Sequence, residues 1–580
     1  ENWDPLLKKD AHHLLKKRLG DVVDGERQKY STADGKYIRD HFFGAHEELL
    51  KMVEDMSDEE IKNLRRGGHD PVKIYNAYKA AISHRGSPTV ILAQTIKGYG
   101  LGEAGEGRNI THQQKKLNEE ELRQFRERFD VPISEEEVEK APFYRPGEDS
   151  DVIQYLRKRR QDLGGYLPER NRENPNFKMP DEAIFKEFFE GSGDRNVATT
   201  MSCVHMLSKF LKDKNVGKYI VPIVPDESRT FGMDALFKQA GIYSHPGQLY
   251  EPVDKESLLY YKEAKDGAIL EEGITEAGCM SSFIAAGTAY ATHQIHCIPF
   301  FIFYSMFGFQ RVGDLIWASA DARARGFLLG GTSGRTTLAG EGLQHQDGHS
   351  HIMAMNVPCI RAYDPAYAYE LAVVIRDGMK RMYQDGEELM YYITIMNEKY
   401  KMPPMPSKKG TEEGIIKGMY NLKATKKNEH NLHLLGSGTI LNETIKAAEI
   451  LKNDYQISAD VWSVTSYKQL YDNAIETERM NRLNPGKENA ATYIEKCVGT
   501  NKGLFVAATD YVKSLPLTVA KWFPGSFIAL GTDGFGLSDD REHLREYFAV
   551  SENHNFLTAL SKIYRAKKLE KNIMNKAEKD

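Results

Sequence analysis

The sequence has few cysteines, and their arrangement argues against a covalent or metal framework. Its 580 residues include five cysteines, and none of them forms a Cys-x-x-Cys pair. An odd number of scattered cysteines disfavours a disulfide scaffold and a zinc ribbon, and it favours a reducing cytoplasm as the location. The sequence starts at Glu1 rather than Met, and its first residues predict neither a signal peptide nor a basic presequence, so we expect that an upstream segment has been removed.

Long hydrophobic runs and an excess of one charge are also missing. The longest apolar stretch, Cys297 to Phe309, is interrupted by Pro, Ser and Gly. Because a membrane span needs about 20 apolar residues, we expect a buried core strand there instead. Lys and Arg number 78 against 83 Asp and Glu, which gives a formal net charge of -5. This balance predicts neither a nucleic-acid partner nor a membrane partner.

Two polar, proline-containing segments, 171–180 and 401–413, are candidate linkers between domains. They predict three domains, residues 1–175, 176–405 and 406–580. Within each, near-continuous apolar runs alternate with helical patterns, which is typical of α/β folds with mostly parallel sheets flanked by helices. The predicted strands are Thr89–Ile96, Tyr219–Val224, Ile298–Phe303, Leu432–Leu435 and Ala459–Val464.

One helix of the first segment can be predicted in detail. Asp70 is a plausible N-cap, and Pro71 suits the first helical position. Apolar residues at 74, 78, 81 and 82 then recur on one face, which we expect to point inward.

The stretch Gly436-Ser-Gly438 follows a predicted strand and resembles the start of a dinucleotide-binding turn. Such a site needs a third glycine and an acidic residue that closes the next strand. Leu441 stands at the position of the third glycine, and Val464-Thr-Ser466 brings no carboxylate. A tight strand-to-helix turn is therefore the favoured interpretation.

The densest polar cluster is the glycine-rich pair of segments Gly330–Arg335 and Gly340–His351. So many glycines predict close backbone approach in a loop that lines a pocket. His345, His349 and His351 could be interpreted as zinc ligands, but their spacing is not that of a helical or hairpin zinc site. We expect no metal there and hydrogen bonds within the loop for two of the histidines.

Two acidic positions could carry chemistry. Glu276 opens an apolar helix, so it is either a helix cap or a partly buried acid poised for proton exchange. Asp226 and Glu227 directly follow a buried strand, at the edge where α/β sheets place their sites. The alternative for this second pair is a salt-bridged turn.

Taken in order, several motifs resemble one family over essentially the whole chain. They are Lys97-Gly-Tyr-Gly100, Glu106–His112, Asp226–Gly232, Tyr304–Arg311, Gly330–His351 and Leu530–Asp539. The chain resembles the homodimeric, bacterial-type pyruvate dehydrogenase E1 components of the transketolase-like superfamily. The resemblance implies three transketolase-like α/β domains, thiamine diphosphate and Mg²⁺ as cofactors, and a cytoplasmic homodimer. It further implies decarboxylation of pyruvate and reductive acetylation of the lipoyl group of the dihydrolipoamide acetyltransferase E2.

The resemblance also implies roles for individual residues. Glu276 matches the glutamate that hydrogen-bonds the cofactor's pyrimidine nitrogen, and Phe307 and Tyr304 would give that ring an aromatic face. His345 and His112 match active-site histidines, whose imidazoles titrate in a useful range.

Other matches are acidic or supporting positions. Asp226 and Glu227 match acids near the cofactor that could relay protons. Lys97 matches a lysine near the thiamine pocket, although an ordinary surface lysine is an equal alternative. The remaining matches are Glu106 and Lys115 in a lid loop from Gly100 to Lys116, a partner loop from Pro246 to Tyr261, and the supporting residues Arg311 and Glu341.

The sequence departs from the family at the metal site. The superfamily binds diphosphate and Mg²⁺ through Gly-Asp-Gly followed by Asn-Asn, and this chain contains neither half in that arrangement. No metal ligand is named for this reason, and we expect a fragment or one half of a split enzyme. A non-catalytic module that dimerises or binds E2, and a sugar transketolase, stay open as alternatives.

Overall fold

The chain divides into two units, Glu1–Gly165 and Tyr166–Asp580, each described here by itself. The structure is a computed structural model that describes residues 3–64, 67–113, 116–166, 173–226, 228–252, 261–426, 428–566 and 571–577. In these ranges, every helix is too short or too polar to cross a membrane.

The first unit is helical in its described residues. Its helices are α1 Trp3–Lys9, α2 Leu14–Asp21, α3 Asp24–Thr32, α4 Gly35–His41, α5 Glu47–Met52, α6 Asp58–Lys62, α7 Pro71–Ser83, α8 Glu119–Arg128 and α9 Asp151–Asp162. Helices α1 to α6 enclose a small apolar core that includes Leu15, Phe43 and Val53.

Helix α7 confirms one local prediction and contradicts another. The Asp70 side chain accepts a hydrogen bond from the Lys73 amide at 2.9 Å, and Pro71 is the first helical residue. The expected inward face is exposed, however, with Ile82 at 72%. Local capping can be predicted from sequence, whereas burial depends on a partner surface.

The predicted strand Thr89–Ile96 is wrong. These residues have no regular secondary structure and pair with no strand among the described residues of the unit, and Leu92 is 92% exposed. A β-branched run becomes a strand only when another strand satisfies its backbone groups, and no such strand is described in this unit.

The second unit contains two larger and two small sheets. Its strands are β1 Asn196–Val197, β2 Ile220–Val224, β3 Ile242–Tyr243, β4 Glu263–Ala264, β5 Leu270–Glu271, β6 Ile298–Tyr304, β7 Gly326–Gly331, β8 Ile360–Tyr363, β9 Met390–Thr394, β10 Tyr400–Lys401, β11 Met419–Lys423, β12 Leu432–Gly436, β13 Asp460–Val464, β14 Gly503–Ala508 and β15 Gly525–Leu530. Its helices are α10 Ala183–Phe189, α11 Thr199–Lys212, α12 Asp234–Ala240, α13 Glu276–Thr292, α14 Phe309–Asp321, α15 Ser350–Ala354, α16 Ala368–Met379, α17 Thr411–Lys417, α18 Ile440–Tyr455, α19 Tyr467–Leu483, α20 Tyr493–Val498, α21 Ser514–Leu517, α22 Arg541–Tyr547, α23 Glu552–Arg565 and α24 Lys571–Ala577.

The six-stranded sheet is parallel throughout and has the order β5-β2-β6-β7-β9-β8. Alternate residues of β6 enter two different cores: Phe300 packs on one side of the sheet, and Phe301 and Phe303 pack on the other. Helices cover both faces, which is why this strand has a continuous apolar sequence. The expected buried strand and the α/β fold class are confirmed.

The five-stranded sheet has the order β11-β13-β12-β14-β15, with β11 antiparallel and the others parallel. The turn after β12 contains Gly438 at φ +50°, where an added Cβ would lie 2.7 Å from a carboxylate oxygen of Asp364. A carboxylate at this turn supports the interpretation of a tight turn rather than a phosphate-binding one.

Asp364 belongs to a buried polar network between the two sheets. Its Oδ1 accepts hydrogen bonds from Thr394 Oγ1 at 2.7 Å and from Tyr511 Oη at 3.3 Å. His351 Nε2 lies 2.9 Å from the same threonine oxygen. Burial, with the neighbouring Asp510 as a smaller contribution, raises the pKa of Asp364 to about 7. The folded protein therefore keeps a proton on this acid that the unfolded chain loses near pH 4.

We predict that Asp364→Asn stabilises the protein relative to wild type as pH rises. Between about pH 4 and pH 7 the native state binds the extra proton, so the free energy of unfolding of wild type falls by up to about 1 kcal/mol per pH unit. The asparagine variant has no such proton to lose. Urea unfolding of both proteins from pH 5 to pH 8 measures the difference, which should grow and then level off near pH 7. A constant difference, or one that shrinks, would contradict the prediction.

Candidate active site

A pocket of about 280 Å³ lies at the carboxyl ends of four neighbouring strands, β5, β2, β6 and β7. Its lining residues are Pro225, Phe231, Ile274, Glu276, Tyr304, Phe307, Arg311, Gln344 and His345. The chain passes from β2 to β5 on one side and returns to β6 on the other side of β2. Such a reversal of strand order opens a crevice at the carboxyl edge, where α/β sheets bind their ligands.

Glu276 is the first residue of α13, and it contacts the pocket rather than capping the helix. The capping atom is Thr275 Oγ1, which accepts a hydrogen bond from the Gly278 amide at 3.2 Å. Glu276 Oε1 instead accepts a hydrogen bond from Arg311 Nη1 at 2.9 Å, and its side chain is only 11% exposed. The capping interpretation of Glu276 is therefore wrong, because its neighbour performs that role.

Arg311 joins this carboxylate to an aromatic ring. Its guanidinium carbon lies 3.8 Å from the ring centroid of Phe307. Phe307 ends a short 3₁₀ turn, residues 305–307, that directly follows β6. The pocket thus contains a carboxylate, a planar cation and an aromatic face in direct contact.

His345 packs between two aromatic rings of the same pocket. Its ring centroid lies 4.5 Å from that of Tyr304 and 5.3 Å from that of Phe307. The buried Nδ1 atom has no hydrogen-bond partner among the described residues. Glu341 Oε2 is 3.5 Å from it and could pair with a protonated imidazole. His345 is therefore an imidazole held by packing against two aromatic rings, with the Glu341 carboxylate beside its buried Nδ1 atom.

The other two histidines of the glycine-rich loop lie in polar contacts of their own. His349 Nδ1 is 3.3 Å from Arg335, and His351 contacts Thr394, as described above. Burial lowers the pKa of both, that of His351 to about 4, so both are neutral at physiological pH. The three histidines do not converge on one point.

Asp226 and its surroundings form an acidic group beside the pocket. Asp226 is exposed and directly follows the pocket residue Pro225. Glu271, opposite Val224 in the pairing of β5 with β2, accepts a hydrogen bond from Ser228 Oγ at 2.9 Å. Burial raises the pKa of Glu271, and the charge of Asp226 raises it further. Glu227, the second acid predicted here, lies outside the described residues.

The predicted residues of the first unit lie in a loop organised by Glu106. This carboxylate accepts hydrogen bonds from the Gly100 amide at 3.2 Å and from both terminal nitrogens of Arg128. Lys97 is exposed, and His112 is exposed at the end of a 3₁₀ turn, residues 109–112. Lys115 and half of the partner loop, residues 253–260, lie outside the described residues. Within this unit, Glu106 has a structural role.

The described residues contain one group of side chains close enough to ligate a metal. It consists of Asp539, Asp540 and His543, all of them exposed. Asp540 is the N-cap of α22 and accepts from the His543 amide at 2.9 Å, which accounts for the cluster without an ion.

Sequence reasoning missed five residues at or near the pocket: Pro225, Phe231, Ile274, Gln344 and Glu271. Phe231 packs on Tyr304 with ring centroids 5.4 Å apart. It lies in the Asp226–Gly232 motif, in which only the two acidic residues were predicted to have a role. Glu271 becomes a neighbour of Asp226 through strand pairing, for which the sequence gives no signal.

Two family models match the second unit. The middle domain of the pyruvate dehydrogenase E1 component matches residues 176–403, and the transketolase-like C-terminal domain matches residues 418–551. The domain bounds predicted above, at residues 175 and 405, stay predictions.

Curated relatives match nearly the whole chain. A pyruvate dehydrogenase E1 component from Pseudomonas aeruginosa is 54% identical over 560 residues, which cover 96% of this chain and 63% of that protein. The Escherichia coli K12 protein of the same name is 47% identical, and the match covers 64% of its length. The Mycobacterium tuberculosis protein is 46% identical, and the match covers 60% of its length. The chain thus spans about three fifths of the length of these relatives.

Solved structures share the fold at low identity. A transketolase from Campylobacter jejuni has a TM-score of 0.58 at 17% identity, over 85% of this chain and 66% of that chain. A transketolase mutant from Pichia stipitis has a TM-score of 0.58 at 14% identity, over 93% of this chain and 74% of the Pichia chain. These similarities show a transketolase-like fold and carry no argument about substrate.

We predict that Gly348→Ala destabilises the glycine-rich loop that carries His345. An added Cβ would lie 2.6 Å from the guanidinium carbon of Arg335. Arg335 is 1% exposed and donates hydrogen bonds to the carbonyls of Thr532 and Gly534, so it cannot move aside without losing buried contacts. We expect a loss of about 1–3 kcal/mol in the free energy of unfolding, measured by urea denaturation.

The matched control is Gly313→Ala in α14. A Cβ at this glycine meets nothing within 4 Å, so alanine should be neutral or stabilising there. Equal effects of the two substitutions would show that loop packing around Arg335 does not set the cost.

Proposed function

We propose that the chain, which is similar to pyruvate dehydrogenase E1 components over nearly its whole length, is a member of that family and carries out thiamine diphosphate-dependent decarboxylation of pyruvate. The proposal includes reductive acetylation of the lipoyl group of the E2 acetyltransferase. The observation that supports it most directly is the pocket at the reversal of strand order, which brings Glu276, Phe307, Tyr304 and His345 together. The chain spans only part of its relatives' length, so activity, substrate and partners are all part of the proposal.

The pocket fits the aminopyrimidine half of thiamine diphosphate. A nearly buried carboxylate at Glu276 can accept a hydrogen bond from a ring nitrogen, and Phe307 offers a face for stacking. When bound, this cofactor supplies the electron sink that decarboxylation of a 2-oxo acid requires.

The described residues do not fit the Mg²⁺ that the family is expected to use. The Gly-Asp-Gly and Asn-Asn elements are absent from the sequence, and the exposed Asp539 group lies on an N-cap. We derive no step through a metal, and its ligands remain unassigned.

Glu276 and His345 would act on different protons. Glu276 would keep a proton on the pyrimidine nitrogen to which it hydrogen-bonds, because a hydrogen bond to a charged carboxylate stabilises the protonated form of that nitrogen. His345, which lines the pocket, would orient the substrate and transfer a proton at the reacting carbon or oxygen. Phe231, Tyr304 and Phe307 would exclude water from this reaction.

Several finer assignments belong to the same proposal. They are the roles of His112, Lys97 and Glu227, the lid role of the loops Gly100–Lys116 and Pro246–Tyr261, the homodimer, the lipoyl and E2 partners, and the cytoplasmic location. Asp226 and Glu271 would relay protons at the pocket edge, since burial and the charge of Asp226 both raise the pKa of Glu271.

The first experiment is the binding of thiamine diphosphate and Mg²⁺ by the 580-residue chain, followed by pyruvate-dependent ferricyanide reduction. If the chain binds only after an N-terminal segment of a relative is added, the result supports a split or a truncated enzyme. Failure to bind in both cases would favour the non-catalytic alternative. Turnover of ketose phosphates instead of pyruvate would favour the sugar transketolase alternative.

We predict that Glu276→Gln, tested in the form that binds cofactor, reduces ferricyanide reduction by about 100-fold or more, a typical value for the loss of a proton-transfer group. The amide keeps the shape of the side chain and removes its charge. Glu272→Gln, four residues earlier in the same stretch, is the matched control and should keep its activity. Full activity of Glu276→Gln would refute the central assignment.

A further inference from the structure

We propose that Arg311 occupies the aminopyrimidine subsite of the pocket and must leave it before the cofactor can bind. This inference rests on the proposed function, because it concerns how the same subsite is filled. It makes Arg311 a competitor for the subsite rather than a supporting residue.

Arg311 makes both contacts that an aminopyrimidine ring would need. Its Nη1 donates to Glu276 Oε1 at 2.9 Å, and its guanidinium carbon lies 3.8 Å from the Phe307 ring centroid. All three residues line the same pocket. Two ligands that need the same carboxylate and the same ring face cannot occupy them together.

The chemistry of the two groups explains the match. A guanidinium is planar and conjugated, carries N–H donors in its plane, and stacks on aromatic faces. An aminopyrimidine in the tautomer that donates from its ring nitrogen shares these properties: it is flat, it donates in its plane, and it stacks. Glu276 and Phe307 therefore recognise either group by the same geometry.

The exposure of the side chains shows which partner can move. The Glu276 side chain is 11% exposed and stands at the start of α13, whereas the Arg311 side chain is 48% exposed. Arg311 also precedes Val312, where the backbone of α14 departs from helical angles. Withdrawal of Arg311 into solvent leaves Glu276 and Phe307 in place for the incoming ring.

This competition lowers the apparent affinity for the ring. A ligand that binds only when Arg311 is withdrawn has its affinity reduced by the fraction of molecules in that state. A half-exposed ion pair and a cation–π contact together favour the occupied state modestly. Removal of Arg311 should therefore tighten binding about fivefold to tenfold.

The test uses 4-amino-2-methylpyrimidine as the probe, at a pH where it is uncharged, with titration calorimetry on the full 580-residue chain. Arg311→Ala should bind the probe about fivefold to tenfold more tightly than wild type. Arg311→Lys keeps the charge and loses the planar stack, so its affinity should lie between the two. Added salt should tighten binding to wild type and leave Arg311→Ala unchanged, because only the former has an ion pair to screen.

Arg376→Ala is the matched control. Arg376 also pairs with a carboxylate, Glu182 at 3.3 Å, and lies 5.5 Å from the ring centroid of Phe189, but it is not among the residues that line the pocket. Its loss should leave probe affinity as in wild type, which separates a local effect from a general loss of stability.

Equal, weaker or undetectable binding by Arg311→Ala overturns the inference, and the Lys variant with the salt series provides a second test if the alanine variant folds poorly. The outcome is separate from that of the proposed function. Tighter probe binding together with full activity of Glu276→Gln would retain the competition and refute the catalytic assignment. Unchanged probe binding together with an inactive Glu276→Gln would refute the competition and retain the catalytic assignment.

Discussion

The parallel pairing of β2 with β5 on one side and β6 on the other is the constraint on which the site depends. Because all three strands run the same way, the segments after each of them leave from one edge of the sheet. Pro225, the start of α13 with Glu276, and the turn with Phe307 lie at that edge. No two of these are neighbours in sequence, so the pocket exists only when the pairing is correct.

The charge of the Glu276 carboxylate also needs a partner inside the pocket. A carboxylate with 11% exposure beside aromatic rings loses most of its hydration, and an unpaired charge there would be costly. Arg311 satisfies Glu276 and in turn rests on Phe307. The same low solvation makes the carboxylate a selective acceptor, because any group that replaces the guanidinium must bring a donor of its own.

Sequence reasoning predicted four central strands of the second unit and several side chains that line the pocket, for identifiable reasons. The strand at 298–303 is apolar on both faces, so its burial follows from composition. Glu276 and His345 stand in distinctive motifs. What it could not predict depends on long-range pairing: Glu271 meets Asp226 only across β5 and β2, and Thr89–Ile96 has strand composition but no described partner strand. The role of Thr275 as the cap of α13 is a local choice between two adjacent residues that a pattern does not decide.

The fold by itself does not select the chemistry. Solved transketolases share it at 14–17% identity, and a likeness at that level shows the fold alone. Any choice of substrate therefore depends on side chains at the carboxyl edge. Among the residues that line this pocket, Arg311 and His345 are the basic ones, and Arg311 is paired with Glu276. The chemistry of this edge is therefore set by one ion pair, one imidazole and an aromatic wall.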